Sequence, residues 1–171
     1  MMKVDEVENL LRHYRHDWMN QLQLVYGYAT MDKMELVKEK LQHIIAVSRE
    51  ESKLMSLKAP RFSLWVVQFR EHYNQFHMTY HVDSSLDLSA FDQSLVHSLN
   101  QFMSNLKKHV NELNLYEIEM SVTKGEAPVI TLDVSGDLNA VETLKSEIQP
   151  IQFVKDIEIT DRQMLISLLL K

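Results

Sequence analysis

With 171 residues, 45% of them apolar, the chain is long enough for one medium domain or two small ones around a real core. Three glycines and three prolines exclude a turn-rich sandwich, a collagen-like or disordered chain and a glycine-rich nucleotide loop; the lack of cysteine excludes a disulfide scaffold and thiolate metal sites. A formal net charge of −6 argues against direct binding to DNA or to an anionic membrane, and with neither a membrane-length apolar run nor a signal-peptide pattern the expected location is the cytoplasm.

In chain order, the first periodic segment carries Val7, Leu11, Tyr14, Trp18, Leu22, Val25 and Ala29, in steps of three and four. This is the stripe of an amphipathic α-helix, expected from about Asp5 to Thr30 with that stripe as its buried face and a length of roughly 40 Å. Asp5 and Glu6 suit its electropositive start. At about 100° per residue, His16 lies about 180° from Val7 and about 160° from Trp18, so it points away from the stripe. Its own face holds Asn9, Arg12, His13, Asn20, Gln23 and Gly27. Gly27, which costs about 1 kcal/mol relative to alanine inside a helix, either marks a close contact with a partner or loosens the helix end.

A histidine on a polar helix face is either a solvated surface residue or a nucleophile, and its neighbours bear on the choice. A neutral imidazole nitrogen attacks phosphorus when accessible, and the adjacent carboxylate of Asp17 can orient the ring or stabilise its protonated form. Arg12 and Arg15 can help neutralise a phosphoryl group, and Asn20, one turn beyond His16, is within reach of whatever the ring carries. The cationic group Arg12, His13 and Arg15 suits either docking of an acidic partner or an ordinary solvated face.

Thr30, Met31 and Asp32 form a turn, with Asp32 expected as the N-cap of a second helix. That helix runs through Met34, Val37, Leu41, Ile44, Ser48 and Met55 and ends at Leu57 or Lys58 before Pro60. The short loop predicts an antiparallel hairpin over residues 1–59. Two helices cannot cover both of their own apolar stripes, and a hairpin from a second copy would complete a four-helix bundle.

Pro60 marks the start of a second, mixed domain over residues 60–171. Its expected elements begin with a helix from Phe62 to Phe76, with Trp65, Phe69, His72 or Tyr73 and Phe76 inward, and a strand over 78–82. A helix capped by Ser89 or Asp92 and running to about Glu112 follows. A hairpin of 116–122 and 129–134, a short helix over 141–148, and strands over 153–159 and 163–170 complete it, the last strand apolar enough to be central. The fold class is therefore α+β: a helical hairpin followed by an α/β domain.

The pattern His16-Asp17-x-x-Asn20, preceded by Arg15 on the first helix of a hairpin, resembles the phosphoacceptor box of histidine kinases. The longer run Arg15-His16-Asp17-Trp18-Met19-Asn20-Gln21-Leu22-Gln23-Leu24, with Glu51-Ser52-Lys53-Leu54 and Leu57-Lys58, is similar to the sporulation initiation phosphotransferase B family of endospore-forming bacteria. Residues 87–93 extend the likeness more loosely. The resemblance implies a homodimer with a four-helix bundle. It also implies a second domain resembling a degenerate histidine-kinase ATP-binding domain.

In such kinases a helix carries Asn-x-x-x-Asn, whose second Asn holds Mg²⁺; the matching stretch here is Asn105-Leu106-Lys107-Lys108-His109. The adenine-gripping Asp-x-Gly-x-Gly loop is echoed only by Asp133-Val134-Ser135-Gly136-Asp137, without a later glycine-rich loop to wrap phosphates. These departures argue against autophosphorylation from ATP.

The function these readings imply is a phosphorelay phosphotransferase controlling the start of sporulation. The resemblance implies that His16 takes a phosphoryl group from the aspartate of a single-domain response regulator and passes it to that of a DNA-binding one. Arg15, Arg12, Asp17 and Asn20 serve as phosphoryl or partner contacts. No cofactor is expected in this chain, which offers no carboxylate cluster for Mg²⁺; the resemblance implies that the partner's receiver domain holds the ion. The alternatives are an ATP-dependent sensor histidine kinase fragment and a non-catalytic dimeric receiver-binding protein.

Overall fold

The computed structural model describes residues 4–83 and 85–171, without the side chains of Val4, Asp5 and Glu6, so the acidic pair expected at the first helix start lies outside the described residues. Helix α1 (Val4–Thr30) and helix α2 (Met34–Ser56) form the antiparallel hairpin. The turn between them differs from expectation at Asp32. Its N–H donates to Ala29 O at 3.1 Å while the N–H of Lys33 donates to Tyr28 O at 2.9 Å, with Asp32 itself at φ 55°. This pair of bonds closes α1 through a left-handed residue, a seat that aspartate tolerates better than most side chains. Asp32 therefore ends the first helix and does not cap the second.

Two compact units divide between Glu51 and Ser52, inside α2. In the first unit the apolar stripe expected to be buried stands open: Leu11 is 63% exposed and Trp18 37%, and α2 adds exposed Met34, Leu41 and Ile45. Val37 is the one buried apolar side chain among the described residues of that unit. The physical reason is that a pair of helices buries only the seam between them, and the rest of each stripe needs further surface.

The second unit begins with the last turn of α2, where Leu54 and Leu57 are fully buried and Ser63 Oγ donates to Leu54 O at 3.1 Å. It continues through α3 (Pro60–Val67), α4 (Phe69–His72), β1 (Phe76–Val82), α5 (Asp92–Lys108), β2 (Tyr116–Thr123) and β3 (Val129–Ser135). Helix α6 (Val141–Ile148) and strands β4 (Val154–Ile159) and β5 (Gln163–Leu169) complete it. The sheet order is β1-β2-β3-β5-β4, with β1 and β2 parallel and the other neighbours antiparallel. As the apolar run predicts, β5 is central, paired on both sides. Alternation sets the faces: Ile118, Met120, Ile130, Leu132, Met164 and Ile166 point into the core that Leu95, Leu99, Phe102 and Leu106 of α5 share.

The single helix expected over 62–76 is broken. It ends at Val67, resumes for one turn after Gln68, and gives Phe76 to β1, where Phe76 pairs with Tyr116. Aromatic residues spaced for a helix here are overridden by a ladder of strand bonds that the local pattern does not reveal. Neither expected cap closes α5. Ser89 bonds Asp87, and the Asp92 carboxylate accepts from the N–H groups of Arg61 at 3.2 Å and Phe62 at 2.8 Å, capping α3. Helix α5 also stops short of Glu112, since Val110 bridges Leu138.

Candidate functional site

His16 sits midway along α1 with its side chain 71% exposed, on the face the helical spacing predicts. Two groups reach its ring and both meet it at Nδ1: Asn20 Nδ2 at 3.2 Å and Asp17 Oδ1 at 3.5 Å. No contact engages Nε2 among the described residues. Nδ1 cannot accept a proton from Asn20 and donate one to Asp17 at once, so the two contacts favour different tautomers. An Asn20 N–H donated to Nδ1 leaves the ring proton on Nε2. With the Asn20 amide turned over, Asn20 and Asp17 both accept from Nδ1–H, and the Nε2 lone pair is free.

The arginines are placed differently from one another. Arg12 is held by Glu8, with Nη2 to Oε1 at 2.7 Å, a partner legible in the i, i+4 spacing but missed by a reading centred on His16. Arg15 makes no ion pair among the described residues, leaving its guanidinium for an outside anion. The structure thus brings Asp17 and Asn20 to the histidine and places Arg12 and Arg15 nearby on the same helix without contact. Also missed was the clasp between the hairpin's helices, Tyr14 O–H to Glu51 at 3.0 Å, with Trp18 edge-on to the Tyr14 ring. Gly27 has open space where a Cβ would stand, and its carbonyl accepts the Thr30 hydroxyl at 2.8 Å in the last turn of α1.

In the second unit, the positions echoing kinase motifs are engaged with other parts of the chain. Asn105 Nδ2 donates to Glu147 O at 3.1 Å, and His109 Nε2 lies 3.3 Å from a Glu147 carboxylate oxygen, tying α5 to α6. The Asp133 carboxylate takes both its bonds from Gln163. Gly136, at φ +146°, lies against the Tyr116 ring so closely that a Cβ would overlap it, and the Tyr116 hydroxyl donates to Asp137 O while accepting the Asn111 N–H. Among the described residues no helix is long and apolar enough to cross a membrane.

His16 thus stands outward on the first helix of a two-helix hairpin. Residues 1–57 match the family described as "Sensor_kinase_SpoOB-type, alpha-helical domain". The chain is 37% identical over 92 residues to sporulation initiation phosphotransferase B of Bacillus subtilis (strain 168), a stretch covering 53% of this chain and 48% of that protein. The chain thus spans about half the length of this curated relative, and the likeness to that family expected from the His16 box is found. Among solved structures, the Erythrobacter litoralis EL346 blue-light activated histidine kinase aligns over 87% of this chain and 62% of its own, with a TM-score of 0.39 and 8% identity.

Proposed function

We propose that this protein is a cytoplasmic phosphorelay phosphotransferase of the sporulation pathway, acting between two response-regulator receiver domains with His16 as the intermediate carrier. The observation that carries the reading is the ring itself: exposed on a rigid helix and, among the described residues, contacted only at Nδ1 and open at Nε2. The Nε2 lone pair attacks the phosphorus of an aspartyl phosphate, and the phosphorus–oxygen bond breaks with its electrons returning to the donor carboxylate. The proton stays on Nδ1, where the Asp17 carboxylate and, with its amide turned over, the Asn20 Oδ1 accept it and stabilise the cationic ring. In the second step the acceptor's carboxylate attacks the same phosphorus, the nitrogen–phosphorus bond breaks, and the lone pair returns to Nε2. No net proton moves in either step.

Such a transfer depends on position and charge neutralisation. Arg15 serves as the phosphoryl or partner contact, Arg12 as a neighbouring charge tempered by Glu8, and Mg²⁺ comes with the receiver. The open apolar stripes of α1 and α2 support a homodimer whose two hairpins form a four-helix bundle. The name of the Bacillus subtilis relative supports the phosphotransfer reading.

The test is to mix the protein with a phosphorylated single-domain receiver and follow the label. Wild type gains phosphate and loses it to a second receiver, and His16→Gln does neither. Equal labelling of His16→Gln would overturn the assignment. Labelling from ATP and Mg²⁺ with no receiver present would establish a kinase instead.

A further inference from the structure

Helices α3, α4 and α5 line an open surface cavity of about 370 Å³ within the second unit, a size found among small-molecule sites. Leu64 and Val96 form an aliphatic wall, and Trp65 and Tyr73, with ring centroids 6.2 Å apart, an aromatic one. Arg61 and Asn100 supply polar groups. The Trp65 indole N–H donates to Asn100 Oδ1 at 2.9 Å, and the Tyr73 hydroxyl donates to the same oxygen at 3.3 Å. An indole nitrogen only donates, so this bond fixes which end of the Asn100 amide is oxygen. The amide nitrogen is left with two N–H groups and no partner among the described residues.

Arg61 is in a comparable state. Its backbone N–H is taken by Asp92, while its guanidinium has no ion pair among the described residues. Lys107 Nζ stands 4.8 Å from the Tyr73 ring centroid and adds positive charge beside the cavity. Burial raises the pKa of the Tyr73 phenol, which keeps it neutral and donating. No carboxylate is among the residues lining the cavity. Aromatic faces by themselves also suit a cation, but here Lys107 already occupies that role and Arg61 opposes a second positive charge.

We propose that this cavity binds a small aromatic carboxylate, its ring against Trp65 and Tyr73 and its carboxylate held by the Arg61 guanidinium and the Asn100 amide N–H groups. The site uses none of the residues around His16.

The experiment titrates the full chain with 2-naphthoate, neutral 2-naphthylmethanol and cationic 2-naphthylmethylammonium. It follows the Trp65 indole N–H and Asn100 side-chain signals by NMR, the first assigned with Trp65→Phe. Naphthoate is expected to shift both signals saturably and to bind at least about tenfold more tightly than either analogue. Arg61→Gln should weaken it about tenfold, as loss of one charge-assisted bond implies. Asn100→Asp keeps an acceptor for Trp65 and Tyr73, so the fold and the indole signal persist, while its carboxylate should abolish naphthoate binding. Equal or tighter binding of the cation, insensitivity to both substitutions, shifts that map away from the cavity, or no saturable binding would each overturn the proposal.

Discussion

Asn20 Nδ2 lies 3.2 Å from His16 Nδ1, one helical turn further along α1, at the ring nitrogen the proposed chemistry does not use. With its amide turned over so that Oδ1 accepts from Nδ1–H, Asn20 holds the tautomer with a free Nε2, and Asn20→Ala should slow phosphotransfer by about tenfold, the worth of one hydrogen bond near 1.4 kcal/mol. Asn20→Asp, which can only accept while ionised, should retain most of the rate. Single-turnover transfer from a labelled receiver checks both; an alanine variant as fast as wild type would remove Asn20 from the site.

The cap that Asp92 provides to α3 joins residues thirty apart in sequence, and its loss should be costly. Asp92→Ala leaves the Arg61 and Phe62 N–H groups without their acceptor and should destabilise the second unit by about 1–2 kcal/mol. Urea denaturation followed by circular dichroism measures this. If Asp92 instead capped its own helix, α5, the hydrogen exchange of α5 amides would rise while those of α3 stayed protected.

These two cases separate what the sequence makes legible from what it hides. His16, Asp17 and Asn20 sit on one helix, so their mutual geometry follows from the helical repeat, and α1, the β2–β3 hairpin and α6 follow from local periodicity and turn residues in the same way. Asp92 and Phe76 were misread because their partners are far along the chain. Asp92 has a good cap residue's chemistry at a helix start yet faces a different helix, and Phe76 has helical spacing from Phe69 yet joins a strand. Asp32 shows a third cause: the same side chain suits a helix start and a left-handed helix end, and only backbone geometry decides.

Just past α2, Lys58 takes a left-handed backbone and sends its ammonium to Asp87 at 2.8 Å. The Lys58 bond, with the Ser89 hydroxyl and N–H, holds the Asp87 carboxyl well below the usual carboxylate range, and Asp87 in turn raises Lys58. A depressed carboxyl stabilises the fold above its unfolded pKa, about 3.9, and that stability is lost as pH falls below it. A raised lysine stabilises below its ordinary 10.5, and that contribution is lost as pH climbs through the folded value. Both groups face solvent, so the effect is small and screened by salt. Asp87→Asn should therefore lower Tm slightly at pH 7, and the gap to wild type should narrow progressively as pH falls below about 4 and in strong salt. A gap that persists unchanged at pH 2 would assign the loss to something other than this pair.

Leu11 is the most exposed large side chain of the α1 stripe, and in a four-helix bundle of two hairpins it would lie in the seam between copies. Burying a leucine is worth about 1.5–3 kcal/mol, and Leu11→Glu replaces that gain with a charge on each side of a two-fold axis. Sedimentation equilibrium should show a dimer for the wild type and a dissociation constant at least about tenfold weaker for Leu11→Glu. His16 faces away from this seam, so any loss of phosphotransfer in Leu11→Glu should track the monomer fraction and recover at high protein concentration. A wild type that stays monomeric at high concentration would leave the stripe without the second hairpin and sink the four-helix bundle, whatever His16 is found to do.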